Sequence, residues 1–169
     1  GSTVTVPAGS ASFVVRIPTV NDNISEPSES LTLSASTVQN AAPVVGTGTV
    51  TDNDGTPTLS ISGPGLVNEA AGTVTYTVTL SNPSASTVSV NYGTVNGSAT
   101  AGSDFTPSSG ALSFAPGETS KTITVAITND ALYEGSECSS VSLRAPTSTT
   151  LGTPSVSTAI GHDGTGAGG

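Results

Sequence analysis

Thr73-Val74-Thr75-Tyr76-Thr77-Val78-Thr79-Leu80 alternates strictly between hydroxyl and apolar side chains. Successive residues of a strand point to opposite faces, so Val74, Tyr76, Val78 and Leu80 are predicted to face a core and the threonines to face water. Lys121–Ile127 repeats the pattern with Ile123, Val125 and Ile127 inward, and Phe13, Val15 and Ile17 offer an equivalent face near the start of the chain. Further strands are predicted at Thr58–Ser62, Thr87–Tyr92, Ala111–Phe114, Val141–Leu143 and Ser155–Ile160. Ser81-Asn82-Pro83-Ser84 and Ala115-Pro116-Gly117-Glu118 read as turns. No stretch carries a helical period. Short strands at regular spacing, with turn signals between them, predict an all-β sandwich.

The pattern also repeats over a longer distance. Asn21-Asp22-Asn23-Ile24-Ser25-Glu26-Pro27-Ser28-Glu29 returns as Asn129-Asp130-Ala131-Leu132-Tyr133-Glu134-Gly135-Ser136-Glu137. Pro7-Ala8-Gly9 and Pro116-Gly117-Glu118 precede the two copies, and Asp52-Asn53-Asp54-Gly55 and His162-Asp163-Gly164 close them. The period is about 110 residues, the size of a whole β domain. One full repeat is expected over residues 56–163. Residues 1–55 match only the second half of a repeat, and residues 164–169 read as a Gly-rich linker or tail. Half a sandwich leaves an apolar sheet face and open edges, so residues 1–55 are expected to take strands from a preceding repeat or from another copy of the chain.

Composition narrows the partners. The formal charge is −9, and Arg16, Lys121 and Arg144 are the only Lys or Arg residues. Nucleic-acid binding needs a basic footprint that this chain lacks. No apolar run approaches the length of a membrane span. Cys138 is the only cysteine, which excludes an internal disulfide, and it is read as a small half-buried strand residue. Low charge, abundant Ser and Thr and the absence of a disulfide fit a secreted or cell-surface array. What changes the picture is the register of the acids: carboxylates returning at corresponding loops of a β domain point to bound Ca2+.

Several blocks resemble the Calx-β family. They are Val67-Asn68-Glu69 before a Gly-Thr-Val strand, Ala99-Thr100-Ala101-Gly102-Ser103-Asp104-Phe105, Leu112-Ser113-Phe114-Ala115-Pro116-Gly117-Glu118, and Asn129-Asp130 with Glu134 and Glu137. The resemblance covers Thr58–Asp163, and its second half covers residues 3–55. It implies a seven-stranded sandwich of immunoglobulin-like architecture, with Ca2+ held at one end by loops and strand ends. The implied ligands are Glu69, Asp104, Asp130, Glu134 and Asp163, with Asp22, Glu26, Asp52 and Asp54 as their counterparts in the first copy. Glu29, Glu118 and Glu137 are expected to face solvent or to stand outside the direct ligand set. Asn129 and His162 depart from the family pattern, and His is a poor ligand for hard Ca2+, so weaker or fewer ions are expected in the second copy.

These features together imply a structural repeat module of a large extracellular adhesin or surface fibre, stiffened by Ca2+ and able to assemble into filaments by strand complementation. An adhesion module for carbohydrate or protein is the alternative, although the few aromatics offer no stacking platform. A regulatory Ca2+ sensor is the other. Catalysis is not expected, because a Ser-His-Asp site would have to use His162, with nothing in the sequence to fix its tautomer.

Overall fold

The computed structural model describes residues 2–39 and 41–162. In chain order the strands are β1 (Glu29–Ala35), β2 (Val44–Val50), β3 (Thr58–Ser62), β4 (Leu66–Asn68), β5 (Thr73–Leu80), β6 (Val88–Asn96), β7 (Ser109–Phe114), β8 (Ser120–Ala126), β9 (Glu137–Thr147), β10 (Thr150–Leu151) and β11 (Ser155–Gly161). A single 3-10 turn, Glu69–Ala71, separates β4 from β5.

Residues 58–161 form two facing sheets, ordered β10-β3-β5-β8 and β4-β11-β9-β6-β7. The threonine alternation places β5 at the centre of the first sheet: Val74, Tyr76, Val78 and Leu80 are buried, and Thr73, Thr75 and Thr79 are exposed. β6, β9 and β8 meet it with Val88, Val90, Val141, Ile123 and Val125, and Phe105 and Phe114 close the core. Each such side chain taken from water contributes roughly 1.5–3 kcal/mol. Tyr76 spans the layers. Its hydroxyl donates to Thr158 Oγ1 at 2.9 Å, and Thr158 donates in turn to the Pro64 carbonyl at 2.8 Å. The buried phenol is therefore paired, and its pKa is raised, first by desolvation and in spite of the Thr158 hydrogen bond.

The seven longer strands of this sandwich are joined by two short ones, β4 of three residues and β10 of two, both pairing in parallel with a neighbour. These two extend the expected seven. Cys138 is exposed rather than half-buried, because it lies on the outward face of β9 next to buried Ser139.

The first segment differs from its expectation. β1 and β2 form an antiparallel two-stranded sheet of their own. Phe13, Val15 and Ile17 lie outside any strand and remain 42–50% exposed, and Leu33 is exposed as well. The physical reason is the lack of a partner. Among the described residues every buried hydrophobic side chain falls between Leu59 and Ile160, so the earlier segment has no opposing sheet against which to alternate. The local turn chemistry does repeat. Pro7-Ala8-Gly9-Ser10 closes with Ser10 N–H to the Pro7 carbonyl, and Ala115-Pro116-Gly117-Glu118 closes with Glu118 N–H to the Ala115 carbonyl. Gly9 and Gly117 carry φ of +84° and +85° at the third position, where a type II turn requires glycine.

Candidate metal centre

Strand register gathers the acids of the second copy at one end of the sandwich. Ile160 of β11 pairs with Glu137, the first residue of β9. On its other side β11 runs parallel to β4, with Gly161 opposite Asn68. Glu69 and His162, one step beyond that pair, therefore stand side by side. Asn68 Oδ1 caps the 3-10 turn by accepting the Ala70 N–H at 2.9 Å, and Gly72, at φ +69°, ends it. Glu69 is thereby held nearly buried.

Asp104 comes from the loop before β7. Its Oδ2 accepts the Thr100 N–H at 2.6 Å, and its own N–H reaches the Thr100 carbonyl. The next residue, Phe105, is buried in the core and bridges Ile127, which fixes the loop to the end of β8. Glu134 and Gly135, the latter at φ +78°, lie in the connection from β8 to β9.

A cleft results, lined by Glu69, Asp104, Thr128, Glu134, Glu137 and His162. The carboxylate oxygens of Asp104, Glu134 and Glu137 all lie within 4.8 Å of one another. No Lys or Arg lines this cleft. Crowded carboxylates without a countercharge resist ionisation. Glu134 is held above its ordinary pKa by desolvation, by hydrogen bonding to Asp104 and by the charges of Asp104, Asp130 and Glu137. Glu137 is raised by desolvation and then by Asp104. A hard divalent cation, which takes six to eight oxygens at about 2.3–2.6 Å, would relieve this repulsion. The donor set fits Ca2+.

A second acid-lined cleft occupies the matching place in the first copy, with Asp22, Glu26, Glu29, Asp52 and Asp54 on its walls. Glu29 of β1 pairs with Val50 of β2 as Glu137 does with Ile160. Asp52 organises the cleft: Oδ2 accepts the Glu26 N–H at 2.9 Å and Oδ1 the Asp54 N–H at 3.2 Å. Glu26 is raised by desolvation first, then by the charges of Asp22, Glu29, Asp52 and Asp54.

Of the residues singled out from the sequence, Glu69, Asp104 and Glu134 meet in one cleft, and Asp22, Glu26, Asp52 and Asp54 meet in the other. Asp130 stands apart from the three clustered carboxylates. Its Oδ1 accepts the Leu132 N–H at 2.7 Å, as Asp22 Oδ1 accepts the Ile24 N–H at 3.0 Å. Asp163 lies outside the described residues. Glu137, expected to face solvent, is half-buried inside the cluster, and Glu29 lines the first-copy cleft. The signal for both was present, since they return in register with the other acids. Glu118 is exposed as expected, but it closes its turn: Oε2 accepts the Ala115 N–H at 2.7 Å and lies 3.0 Å from Lys121 Nζ, and together these hold its pKa low.

An immunoglobulin-like sandwich with an acid-lined divalent-cation cleft at one end defines the class. The chain belongs to the Calx-beta domain family, whose model matches residues 2–54 and again residues 52–165. Over 100 residues, 57% of this chain, it is 40% identical to human sodium/calcium exchanger 2, and the match spans 11% of the length of that relative. The apo-form Calx CBD1 domain superposes with a TM-score of 0.58 at 28% identity, over 63% of this chain and 98% of that one. The tandem CBD12 of CALX1.2 gives 0.60 at 28% identity, over 62% and 45%.

Proposed function

We propose that this chain is a Ca2+-binding repeat module that works as one link of a tandem or self-associating extracellular array, with Ca2+ stiffening the domain end and the junction beside it. The observation that carries this reading is the Asp104–Glu134–Glu137 cluster, three carboxylates crowded together with no Lys or Arg on the cleft wall. The junction is supported by the position of the first-copy cleft. Ser25, between Asp22 and Glu26, bridges Ser84 of the sandwich, donating to the Pro83 carbonyl and accepting the Ala85 N–H, each at 2.9 Å. An ion held by Asp22, Glu26 and Asp52 would lock the segment that makes this bridge. The family is one of binding domains, so the reading assigns no turnover of a substrate.

Regulatory Ca2+ sensing is the second reading, favoured by the likeness to human sodium/calcium exchanger 2. Affinity separates the two. Sensor sites bind Ca2+ at about 10⁻⁷–10⁻⁵ M and extracellular modules at about 10⁻⁴–10⁻³ M. Calorimetric titration of the full chain with Ca2+ is expected to give the weaker range, with heat lost in Asp104→Asn. Micromolar or tighter binding would transfer the assignment to sensing, and no heat at millimolar Ca2+ would remove both.

A further inference from the structure

The two clefts are built on the same strand register but not on the same donors. Two residues beyond Val50, the partner of Glu29, stands Asp52. Two residues beyond Ile160, the partner of Glu137, stands His162. An imidazole therefore occupies, in the second copy, the place that a carboxylate organises in the first.

The His162 side chain is only 4% exposed, and it lines the cleft with Glu69, Asp104, Glu134 and Glu137. Its Nδ1 stands 2.7 Å from Glu69 Oε1, but the contact is not directed as a hydrogen bond, and Nε2 has no partner among the described residues. Tyr133 packs edge-on against the ring, with centroids 5.1 Å apart and planes at 88°. A buried ring nitrogen without a partner, as Nε2 is, is rare in folded proteins, and an ion is one of the things that satisfies it.

The chemistry of the donors chooses the ion. Carboxylates alone suit hard cations such as Ca2+ and Mg2+, whereas imidazole suits Zn2+ and its transition-metal neighbours. Structural and catalytic zinc sites accept both His nitrogen and Asp or Glu oxygen. We infer that the second-copy cleft is a mixed nitrogen–oxygen site that takes a borderline divalent cation, Zn2+ being the probe, through His162 and carboxylates that line the same cleft. Without the ion only Asp104, Glu134 and Glu137 among the described residues stand within 4.8 Å of one another, so binding draws the imidazole toward them. The first-copy cleft, with acids as its charged donors, remains selective for hard cations. One chain then carries two metal sites of different preference on the same architectural position. This inference does not require the Ca2+ reading to hold, because it rests on His162.

The chain contains a single histidine, which makes the test direct. The tag-free full chain, stripped with chelator and labelled with ¹⁵N, is titrated with ZnCl2 alone and separately with CaCl2 alone while the imidazole nitrogen resonances are followed. Zn2+ is expected to move the ring nitrogens of His162 saturably, and Ca2+ is expected not to reproduce that change. In a parallel calorimetric titration His162→Asp, which restores the first-copy residue type, is expected to weaken Zn2+ binding about tenfold or more while retaining the Ca2+ response. Ring resonances unmoved by Zn2+, the same movement with Ca2+, or undiminished Zn2+ affinity in His162→Asp would each overturn the inference. The wild-type spectra decide the matter even if the variant does not fold. Loss of the Ca2+ response with retention of the Zn2+ response would count against the Ca2+ reading alone.

Discussion

Glu137 owes its chemistry to its place as the first residue of β9. Backbone pairing with Ile160 fixes where its carboxylate stands, and Asp104 and Glu134 arrive from two loops to crowd it. The folded, metal-free protein therefore holds protons on Glu134 and Glu137 more tightly than the unfolded chain does. Their contribution to stability is complete below the ordinary glutamate value and is lost as pH rises through the raised folded values. Glu118 works the other way: its pKa is lowered, so its contribution is present above the ordinary value and fades as pH falls. In chelator, the melting temperature of Glu137→Gln should decline less than that of the wild type as pH rises from about 4 to about 7. Equal slopes would show that the crowding has no energetic consequence. Much of this site was legible in the sequence, because the repeated acids mark the two clefts. Glu137 returns in register with Glu29, but its inward orientation was not legible, since a Glu opening a polar strand start (Glu-Cys-Ser-Ser) carries no local sign of which way it faces. His162 was legible as a departure from the pattern, but its burial depends on β4 running parallel to β11.

At the scale of elements, β3 and β5 have the bounds that alternation predicts, because each buries one face and wets the other. β9 runs from Glu137 to Thr147, well beyond the apolar triplet Val141–Leu143. Its polar first half is set by backbone pairing with β6 and β11, which hydrophobic periodicity does not report. The run Phe13-Val14-Val15-Arg16-Ile17 alternates as well, yet it forms no strand. Alternation says which face would be buried, and only a second sheet can bury it. Close packing between elements gives a sharper test. Gly97 follows β6 where it passes β9, and a Cβ there would collide with the backbone carbonyl of Cys138, which accepts the Ala99 N–H at 3.0 Å. Gly97→Ala should cost about 1–3 kcal/mol, as overpacking usually does. It should appear as a lower urea midpoint at unchanged slope, and an unmoved midpoint would mean that β6 and β9 can separate freely at this point.

The whole molecule is asymmetric in what it covers. Residues 58–161 close a core, while Phe13, Val14, Val15, Ile17, Val44 and Val45 remain open on the first segment. Under the proposed function these exposed apolar side chains would be covered by a neighbouring repeat or by another chain, and head-to-tail completion between chains would generate a filament rather than a closed dimer. Sedimentation of the full chain should show association that grows with concentration and that Phe13→Ser with Val15→Ser reduces. A monomer at every concentration would confine complementation to neighbouring repeats of the same polypeptide. In the proposed array the two acid clefts would supply the dependence on ions. A ligand that binds only the folded state at a hundredfold excess over its Kd adds about 2.7 kcal/mol. The most direct measurement is the melting temperature of the full chain with saturating Ca2+ and with chelator, alongside Asp104→Asn. The account predicts a rise with Ca2+ that chelator abolishes and that Asp104→Asn diminishes; a melting temperature indifferent to Ca2+ and chelator alike would contradict it.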